Sequence, residues 1–237
     1  MIKFEYTEVV GWEHAIRGMR NPMNSWAKSD SRWYCRMDPD DCDSRCDECE
    51  DYFSCGGGIY NIGQNDFDLM TRLRNAGTDH RKFMRMIVVY VDITAPLYWW
   101  KEFDTYKVGT VANSCSTMHK IHEKEFELSD FSYEHLRVAA RNVLQKTIDA
   151  LNAEREAYIG EGLAGLKGDK QCWYSMIQLL PSSYNQKRTV MLNYEVLANM
   201  YNGRVRTPHK LDEWRIYFAK WVEDLPYSEI ITGGKGK

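Results

Sequence analysis

A segment rich in cysteine and carboxylate interrupts the regular pattern of this 237-residue sequence and limits how the rest can fold. Between Lys28 and Asn61 the apolar periodicity stops, and Asp, Ser, Cys and Gly replace it. A loop of this length inside a compact domain is usually functional or held by a metal. We therefore predict an inserted loop at residues 34–58, with a hydrophobic core built from the sequence on either side.

The inserted loop holds five of the seven cysteines, namely Cys35, Cys42, Cys46, Cys49 and Cys55. Cys46-x-x-Cys49 has the spacing of a zinc knuckle, and Cys42 lies one helical turn before Cys46. We predict a structural zinc site formed by Cys42, Cys46, Cys49 and Cys55, with Cys35 as the alternative fourth ligand. Unligated surface thiols are the other interpretation. The eight carboxylates between residues 38 and 51 disfavour the thiolate form, which argues against redox chemistry.

The composition excludes several classes of protein. A hydrophobic content of 43% is ample for a core, so we expect a single domain over residues 1–237 with a flexible tail at 233–237. The net charge of −3 gives no broad basic face for nucleic acid. The N-terminus lacks the apolar core of a signal peptide, and the longest apolar stretch, 86–91, is far shorter than the ~20 residues that span a bilayer. We therefore expect a cytoplasmic protein whose cysteines stay reduced.

Apolar periodicity outside the insertion predicts both strands and helices. Alternating or β-branched residues predict strands at 2–8 and 87–94. Pro96 suits the first turn of a helix, whereas the small polar segment at 109–116 is expected to be a loop. Helical spacing predicts helices at 12–19, 65–76, 96–103, 132–158, 169–180, 189–201 and 211–222.

Two groups of polar residues are candidate binding sites. The segment at 107–119 is rich in hydroxyl residues, including Ser114 and Ser116, and such groups bind phosphate or ribose. A helix-capping loop is the simpler interpretation of the same residues. His119 and His122 lie three residues apart, which suits a metal or acid–base pair but also a pair on a solvated turn.

Several short motifs resemble those of the flavin-dependent thymidylate synthases. In the C-terminal half they are Leu179-Leu180-Pro181, Asn193-Tyr-Glu-Val-Leu197, Arg204 eleven residues after Asn193, Asp212-Glu213-Trp214-Arg215 and Leu225-Pro226. Upstream, Ala76-Gly77-Thr-Asp-His80 is similar to the segment before the family's first core strand. The resemblance covers nearly all of the chain except the inserted loop.

The resemblance implies a fold, an activity and an assembly. The fold is α/β, a mixed sheet flanked by helices, as in the thymidylate-synthase-complementing proteins. The activity is reductive methylation of deoxyuridylate, with methylenetetrahydrofolate as carbon source, FAD as hydride carrier and NADPH as reductant. The family assembles as a homotetramer with active sites between subunits, so a homo-oligomer is implied here.

The resemblance also assigns candidate residues. It places Asn193 at the flavin and Arg204 at the uracil, where a guanidinium would stabilise negative charge that develops on the pyrimidine. Ser114 is the second catalytic candidate and, with Ser116, an implied ligand of the substrate phosphate. The implied cofactor-binding residues are Asn193, His80 and Tyr106.

The central motif of the family is not kept. Counting back from Ser114, Asp104-Thr105-Tyr106 stands where the family has Arg-His-Arg, so an acid and a phenol replace two cations. Ser116, Ile177 and Glu195 occupy three further positions at which the family carries Arg. These changes bear directly on FAD and deoxyuridylate binding, because charge-assisted contacts to phosphate are among the strongest in a site.

Three functions therefore fit the sequence. The first is a divergent thymidylate-synthase-like protein that binds a flavin or a pyrimidine nucleotide and transfers a one-carbon unit to deoxyuridylate or a related nucleotide. The second is an inactive scaffold of the same fold, a binding or assembly module whose contact surface is the metal-clipped cysteine loop. The third is an unrelated helix-rich enzyme that uses His119 and His122.

Overall fold

A computed structural model of the chain describes residues 2–35, 58–160, 167–207 and 209–234. The predicted zinc ligands Cys42, Cys46, Cys49 and Cys55 lie outside these residues. The chain divides into two compact units. The first unit comprises Met1–Glu8, Tyr90–Leu192 and Arg204–Trp221, and the second comprises Val9–Val89, Asn193–Gly203 and Val222–Lys237.

A four-stranded sheet has the strand order β1-β4-β6-β5. Its strands are β1 (Lys3–Val10), β4 (Val88–Pro96), β5 (Val111–Ser114) and β6 (Asn185–Asn193). β5 and β6 run antiparallel, and Ser114 lies opposite Arg188.

A separate two-stranded antiparallel sheet lies where the predicted insertion begins and ends. It pairs β2 (Arg32–Cys35) with β3 (Gly58–Asn61), and Cys35 lies opposite Gly58. The insertion predicted at 34–58 is therefore flanked by two paired strands. Because Cys35 lies opposite Gly58, the strand pairing holds the two flanking positions next to each other.

The helices account for most of the remaining described residues. The α-helices are α1 (Trp12–Arg20), α2 (Gln64–Asn75), α3 (Leu97–Phe103), α4 (Val138–Ile159), α5 (Lys170–Leu179), α6 (Tyr194–Tyr201), α7 (Ala219–Glu223) and α8 (Glu229–Thr232). Short 3₁₀ helices span Asn21–Met23, Trp26–Lys28, Arg81–Met86 and Leu128–Asp130, and π-helical turns span Asn202–Arg206 and Glu213–Phe218. No described helix is long and apolar enough to cross a membrane.

The core of the first unit is aromatic around α3. Pro96 precedes the first residue of α3, and Trp99, Trp100 and Phe103 are then buried on the helix. The Trp99 ring lies 4.7 Å from the Trp214 ring, centroid to centroid. Burying one large apolar side chain contributes about 1.5–3 kcal/mol, so these rings fix α3 against the turn that carries Trp214. A second cluster joins Ile121, Phe126, Phe131, Leu144, Ile148, Leu151 and Met176.

The second unit packs around Trp12 and Tyr194. The Trp12 ring meets the rings of Tyr194 and Tyr227 edge to face, with centroids 5.2 Å apart in each pair. The Tyr194 hydroxyl donates to the carbonyl of Pro226 at 2.5 Å, and burial raises the pKa of this phenol. This packing joins α1, the start of α6 and the C-terminal segment.

Gly11 is required by the backbone at the start of α1. Its φ is +93°, and a Cβ atom there would lie 2.1 Å from the carbonyl oxygen of Met86. We expect Gly11→Ala to lower the free energy of unfolding by at least about 2 kcal/mol, since it combines left-handed strain with a backbone clash. Urea denaturation would measure this. Gly77→Ala is the matched control, because Gly77 also has a positive φ, but a Cβ atom added there would meet no described atom within 4 Å.

The structure confirms the α/β class in its coarser form and corrects several boundaries. The helix predicted at 189–201 is wrong in its first part, because Asn185–Asn193 is β6 and only Tyr194–Tyr201 is helical. Val190 and Leu192 are buried at a period of two, so strand pairing decides their conformation. The loop predicted at 109–116 contains β5, and the helix predicted at 132–158 begins only at Val138.

Candidate nucleotide site

Arg204 is held by two polar side chains and two rings of the first unit. Its Nε donates to the Tyr106 hydroxyl at 3.1 Å, and its Nη1 donates to Oε2 of Glu102 at 3.1 Å. The guanidinium carbon lies 5.6 Å from the ring centroids of both Tyr106 and Trp214. The structure thus brings together two residues that the sequence proposed, Arg204 and Tyr106, and holds the guanidinium in one orientation.

Glu102 is the centre of this group. Its Oε2 accepts from Nε1 of Trp214 at 3.0 Å and lies 3.0 Å from Nε2 of His209. The backbone N–H of Leu211 donates to Nδ1 of His209 at 3.1 Å, so in a neutral ring the imidazole proton lies on Nε2. His209 therefore donates to Glu102 as Arg204 and Trp214 do. Together, Glu102, Tyr106, Arg204, His209 and Trp214 form what we call the Glu102 cluster.

The local backbone explains how distant residues meet in the Glu102 cluster. Glu102 comes from α3, while Arg204 and Trp214 come from the two π-helical turns, Asn202–Arg206 and Glu213–Phe218. Such turns insert an extra residue per turn and often occur at functional sites. They rotate the polar side chains that follow relative to a regular α-helix.

A cavity of about 660 Å³ lies beside the cluster and is lined by Tyr98, Glu102, His209, Lys210 and Leu211. This volume is within the usual range for a small-molecule pocket. The Tyr98 hydroxyl donates to the buried carboxylate of Glu213, and burial, followed by this acidic partner, raises the pKa of the phenol. Within the described ranges, neither Oε1 of Glu102 nor the ammonium of Lys210 has a hydrogen-bond or ion-pair partner.

The two serines proposed for phosphate lie on and just after β5. Ser114 is exposed, and its strand partner is Arg188. The Ser116 hydroxyl accepts from the backbone N–H groups of Met118 and His119, at 3.3 and 2.9 Å, and so caps a turn. Ser116 also lines a smaller cavity of about 280 Å³. Its hydroxyl oxygen already has backbone donors, which fits the capping interpretation of this loop.

Asp104 and Tyr106 stand where the family carries arginines, and each is instead the partner of an arginine. Arg188 bonds Asp104 at 2.8 Å and stacks 4.1 Å above the Trp100 ring. Arg204 bonds Tyr106. Asp104 and Tyr106 therefore position arginines that come from other segments. The positive charge of Arg188 is balanced by the negative charge of Asp104.

The remaining flavin candidates belong to the second unit. The side-chain oxygen of Asn193 accepts from the backbone N–H of Val196 at 3.0 Å and caps α6. Glu195 is buried and pairs with Arg81, at 3.5 Å, and with Arg85. His80 is exposed. Asn193 and Arg204 thus lie in different units, and each is positioned by contacts within its own unit.

Acidic partners reduce the positive charge that the arginines of the described residues could offer to the pyrophosphate of FAD. Glu195 pairs with both Arg81 and Arg85, which leaves one net positive charge there, and Asp104 pairs with Arg188. A dinucleotide pyrophosphate needs cations or free backbone donors, and these arginines are already paired.

The histidine candidates His119 and His122 are separate from the Glu102 cluster. The His122 ring packs on Tyr158, with ring centroids 4.8 Å apart, and His119 contributes its backbone N–H to the turn capped by Ser116. In the part of the chain that the structure describes, no group of three or more His, Cys, Asp or Glu side chains is arranged to hold a metal ion. The zinc prediction concerns residues outside that part.

Glu102, His209 and Trp214 are the members of the cluster that the sequence did not single out for chemistry. Tyr98 and Glu102 lie four residues apart in α3, so helical spacing alone places them on one face. The spacing of Tyr98 and Glu102 could therefore have been read from the sequence. No neighbouring residue indicates a role for His209, because its contact with Glu102 depends on the turn that brings it to α3.

Two crystal structures of flavin-dependent thymidylate synthase ThyX from Helicobacter pylori, with FAD and dUMP, match this chain with TM-scores of 0.60 and 0.59. Each is 16% identical in sequence, and the matches cover 97% of this chain and 95% and 94% of those chains. The chain has the fold of the flavin-dependent thymidylate synthases. The fold implied by the sequence resemblance is thereby confirmed.

The crystal structure of the UMP/dUMP methylase PolB from Streptomyces cacaoi, bound with 5-Br UMP, also matches this chain, with a TM-score of 0.54 and 10% sequence identity. That match covers 94% of this chain and 88% of PolB. No protein-family model matches the sequence, and no curated protein matches it. The chain therefore shares the fold of the flavin-dependent thymidylate synthases at a sequence identity too low to assign the site residues.

Proposed function

We propose that the chain binds a uridylate-type pyrimidine nucleotide through the first unit, with Arg204 at the base. The observation that carries this proposal is the orientation of Arg204 by Glu102 and Tyr106, next to the cavity that Glu102 lines. The solved structures of the same fold hold dUMP or 5-Br UMP, which supports the choice of ligand class.

Physically, the Glu102 cluster suits a pyrimidine better than an unspecific anion. The guanidinium of Arg204 is fixed through Nε and Nη1, and no described residue bonds its Nη2. A guanidinium held in this way loses little side-chain entropy on binding and presents its remaining donors to a carbonyl group. Developing negative charge on a pyrimidine carbonyl would be stabilised by the same contact.

The finer proposal is a divergent thymidylate-synthase-like enzyme that transfers a one-carbon unit to deoxyuridylate or a related nucleotide. In such a reaction, FAD that NADPH has reduced would be the hydride donor. The paired state of Arg81, Arg85 and Arg188 argues against the family's usual cofactor contacts. Nucleotide binding is therefore the part of the function that the described residues support most directly.

Thermal-shift measurements on the full chain test nucleotide binding. We expect dUMP to raise the melting temperature in a concentration-dependent way, since a ligand that binds only the folded state stabilises it by mass action. Uridine without phosphate, added as a control, should raise it less. No shift with dUMP or UMP at any concentration up to millimolar would contradict the proposal.

The absorbance spectrum of the purified chain tests the enzymatic part. A flavin band that survives dialysis, together with tritium release from 5-tritiated dUMP in the presence of methylenetetrahydrofolate and NADPH, is expected of an enzyme. If dUMP raises the melting temperature but neither signal is seen, the chain binds the nucleotide without catalysing one-carbon transfer.

The second candidate function is a binding or assembly module without catalysis. The replacement of two cations by Asp104 and Tyr106 favours it, since a scaffold does not need charges for a cofactor phosphate. We expect the double variant Cys46→Ser/Cys49→Ser to lose bound zinc and partner binding in this case, while Arg204→Ala changes neither. Zinc content by mass spectrometry and the oligomeric state by native mass spectrometry provide the readouts.

A further inference from the structure

The two carboxylate oxygens of Glu102 have different environments. Oε2 accepts from Arg204, Trp214 and His209 at 3.0–3.1 Å. Oε1 has no hydrogen-bond partner within residues 2–35, 58–160, 167–207 and 209–234. The side chain is 32% exposed and lines the 660 Å³ cavity. One oxygen therefore anchors the carboxylate, and the other remains available to a ligand.

The free oxygen limits what a ligand can present to it. An ionised carboxylate oxygen only accepts hydrogen bonds, so its complement is an N–H or O–H donor. Lys210, which lines the same cavity and has no partner among the described residues, complements an acceptor or an anion. A uridylate carries both kinds of group, because its ring N3–H lies between two carbonyl oxygens and its phosphate is anionic.

We propose that Glu102 is a specificity-determining residue that accepts a hydrogen bond from the ring N–H of a bound uridylate. This inference rests on the proposed function and assigns a residue that the sequence resemblance does not. The ligands held by the solved structures of this fold, dUMP and 5-Br UMP, share an unsubstituted N3–H. Glu102 would then reject bases that lack a donor at this position.

A ligand analogue tests the inference on the unmodified protein. Isothermal titration calorimetry would compare dUMP with N3-methyl-dUMP, in which a methyl group replaces the hydrogen of the ring donor. A hydrogen bond to a charged group contributes enough that N3-methylation is expected to weaken binding about 10- to 100-fold. Equal binding of the two nucleotides would overturn the role of Glu102 and leave uridylate binding intact.

The isosteric variant Glu102→Gln supplies a second test. The amide oxygen of Gln must accept from Arg204, Trp214 and His209, so the amide NH₂ takes the place of the free oxygen. The group that faces the ligand thereby changes from an acceptor to a donor, without a change in shape. We expect dUMP to bind about 10- to 100-fold more weakly to this variant, and the preference for dUMP over N3-methyl-dUMP to disappear.

The control and the outcomes separate this inference from the proposed function. Glu156→Gln removes an exposed carboxylate of α4 in the same unit and should bind dUMP as the wild type does. Circular dichroism checks that both variants are folded. A Glu102→Gln protein that still discriminates against N3-methyl-dUMP would overturn the inference alone, whereas a wild-type chain that binds neither nucleotide would overturn the proposed function as well.

Discussion

Replacing Asp66 by Asn is expected to lower the free energy of unfolding by about 3–5 kcal/mol. Asp66 is fully buried at the start of α2 and bonds Nε of Arg20 at 2.6 Å, with Arg20 itself only 4% exposed. The hydroxyls of Ser29 and Ser31 donate to its second oxygen at 2.7 and 2.6 Å. Asn would leave the Arg20 charge buried and unpaired, and would direct an amide NH₂ at groups that are already donors.

Asp68→Asn is the matched control for this prediction, because it makes the same change two residues further along α2. Asp68 is exposed and, among the described residues, bonds Gln64 alone, at 2.8 Å. An exposed pair four residues apart in a helix contributes about 0.2–0.5 kcal/mol. Urea denaturation of both variants would measure the difference, and losses that agree within about 1 kcal/mol would show that the buried contacts of Asp66 carry little stability.

The Asp66 contacts also predict a pH dependence. Burial alone would raise the pKa of Asp66, but hydrogen bonds from Ser31, Ser29 and Arg20 outweigh it and hold the pKa below the ordinary value of 3.8. A carboxyl whose pKa is lower in the folded state contributes stability above the unfolded pKa and loses it as the pH falls through the folded pKa. The stability gap between wild type and Asp66→Asn should therefore be largest near neutral pH and narrow below about pH 4.

Replacing Arg204 by Ala is expected to weaken uridylate binding about 10- to 100-fold, the usual range for losing a charge-assisted hydrogen bond. Arg204→Lys should recover only part of this loss. An ammonium keeps the charge, but it cannot bond Tyr106 and Glu102 with one rigid fork while presenting further donors to the ligand. Titration calorimetry with dUMP would measure both variants.

Arg137→Ala provides the control for Arg204, because Arg137 is an exposed cation of the same unit next to α4. Its loss should leave the dissociation constant for dUMP within about twofold of the wild-type value, since exposed charges at a distance are screened by salt. Melting temperatures of the variants would show whether weaker binding merely follows unfolding. Unchanged dUMP binding by a folded Arg204→Ala protein would place the nucleotide elsewhere.

The charges around the candidate site differ from those that the resemblance to the family's motif leads us to expect. Asp104 and Tyr106 stand where the sequence resemblance leads us to expect arginines, yet each contacts an arginine from another segment, Arg188 or Arg204. Glu195, at another position where the resemblance leads us to expect an arginine, is buried and pairs with Arg81 and Arg85. Several cations thus remain, but as partners of acids. Under the proposed function, this arrangement suits a site for one nucleotide better than a site that also holds a dinucleotide.

Local sequence signals predicted the elements whose conformation depends on near neighbours. Proline before α3 and a β-branched run in β4 gave correct elements, because proline suits a helix boundary and β-branched residues favour strands. Asn193 is an N-cap in the structure, which its residue type allows. The same signals failed for β6, where residues 189–193 fit a helical pattern as well as a strand until the neighbouring strand supplied the pairing.

The sequence by itself determined the apolar faces, predicted a cysteine-rich insertion and, through the family resemblance, made Arg204 a candidate. Only the tertiary structure decided that Glu102, His209 and Trp214 surround it, because these residues lie up to 112 positions apart and meet through packing and the π-helical turns. Backbone conformation depends largely on local residues. Whether Oε1 of Glu102 is available to a ligand depends instead on which distant donors bond its other oxygen, Oε2.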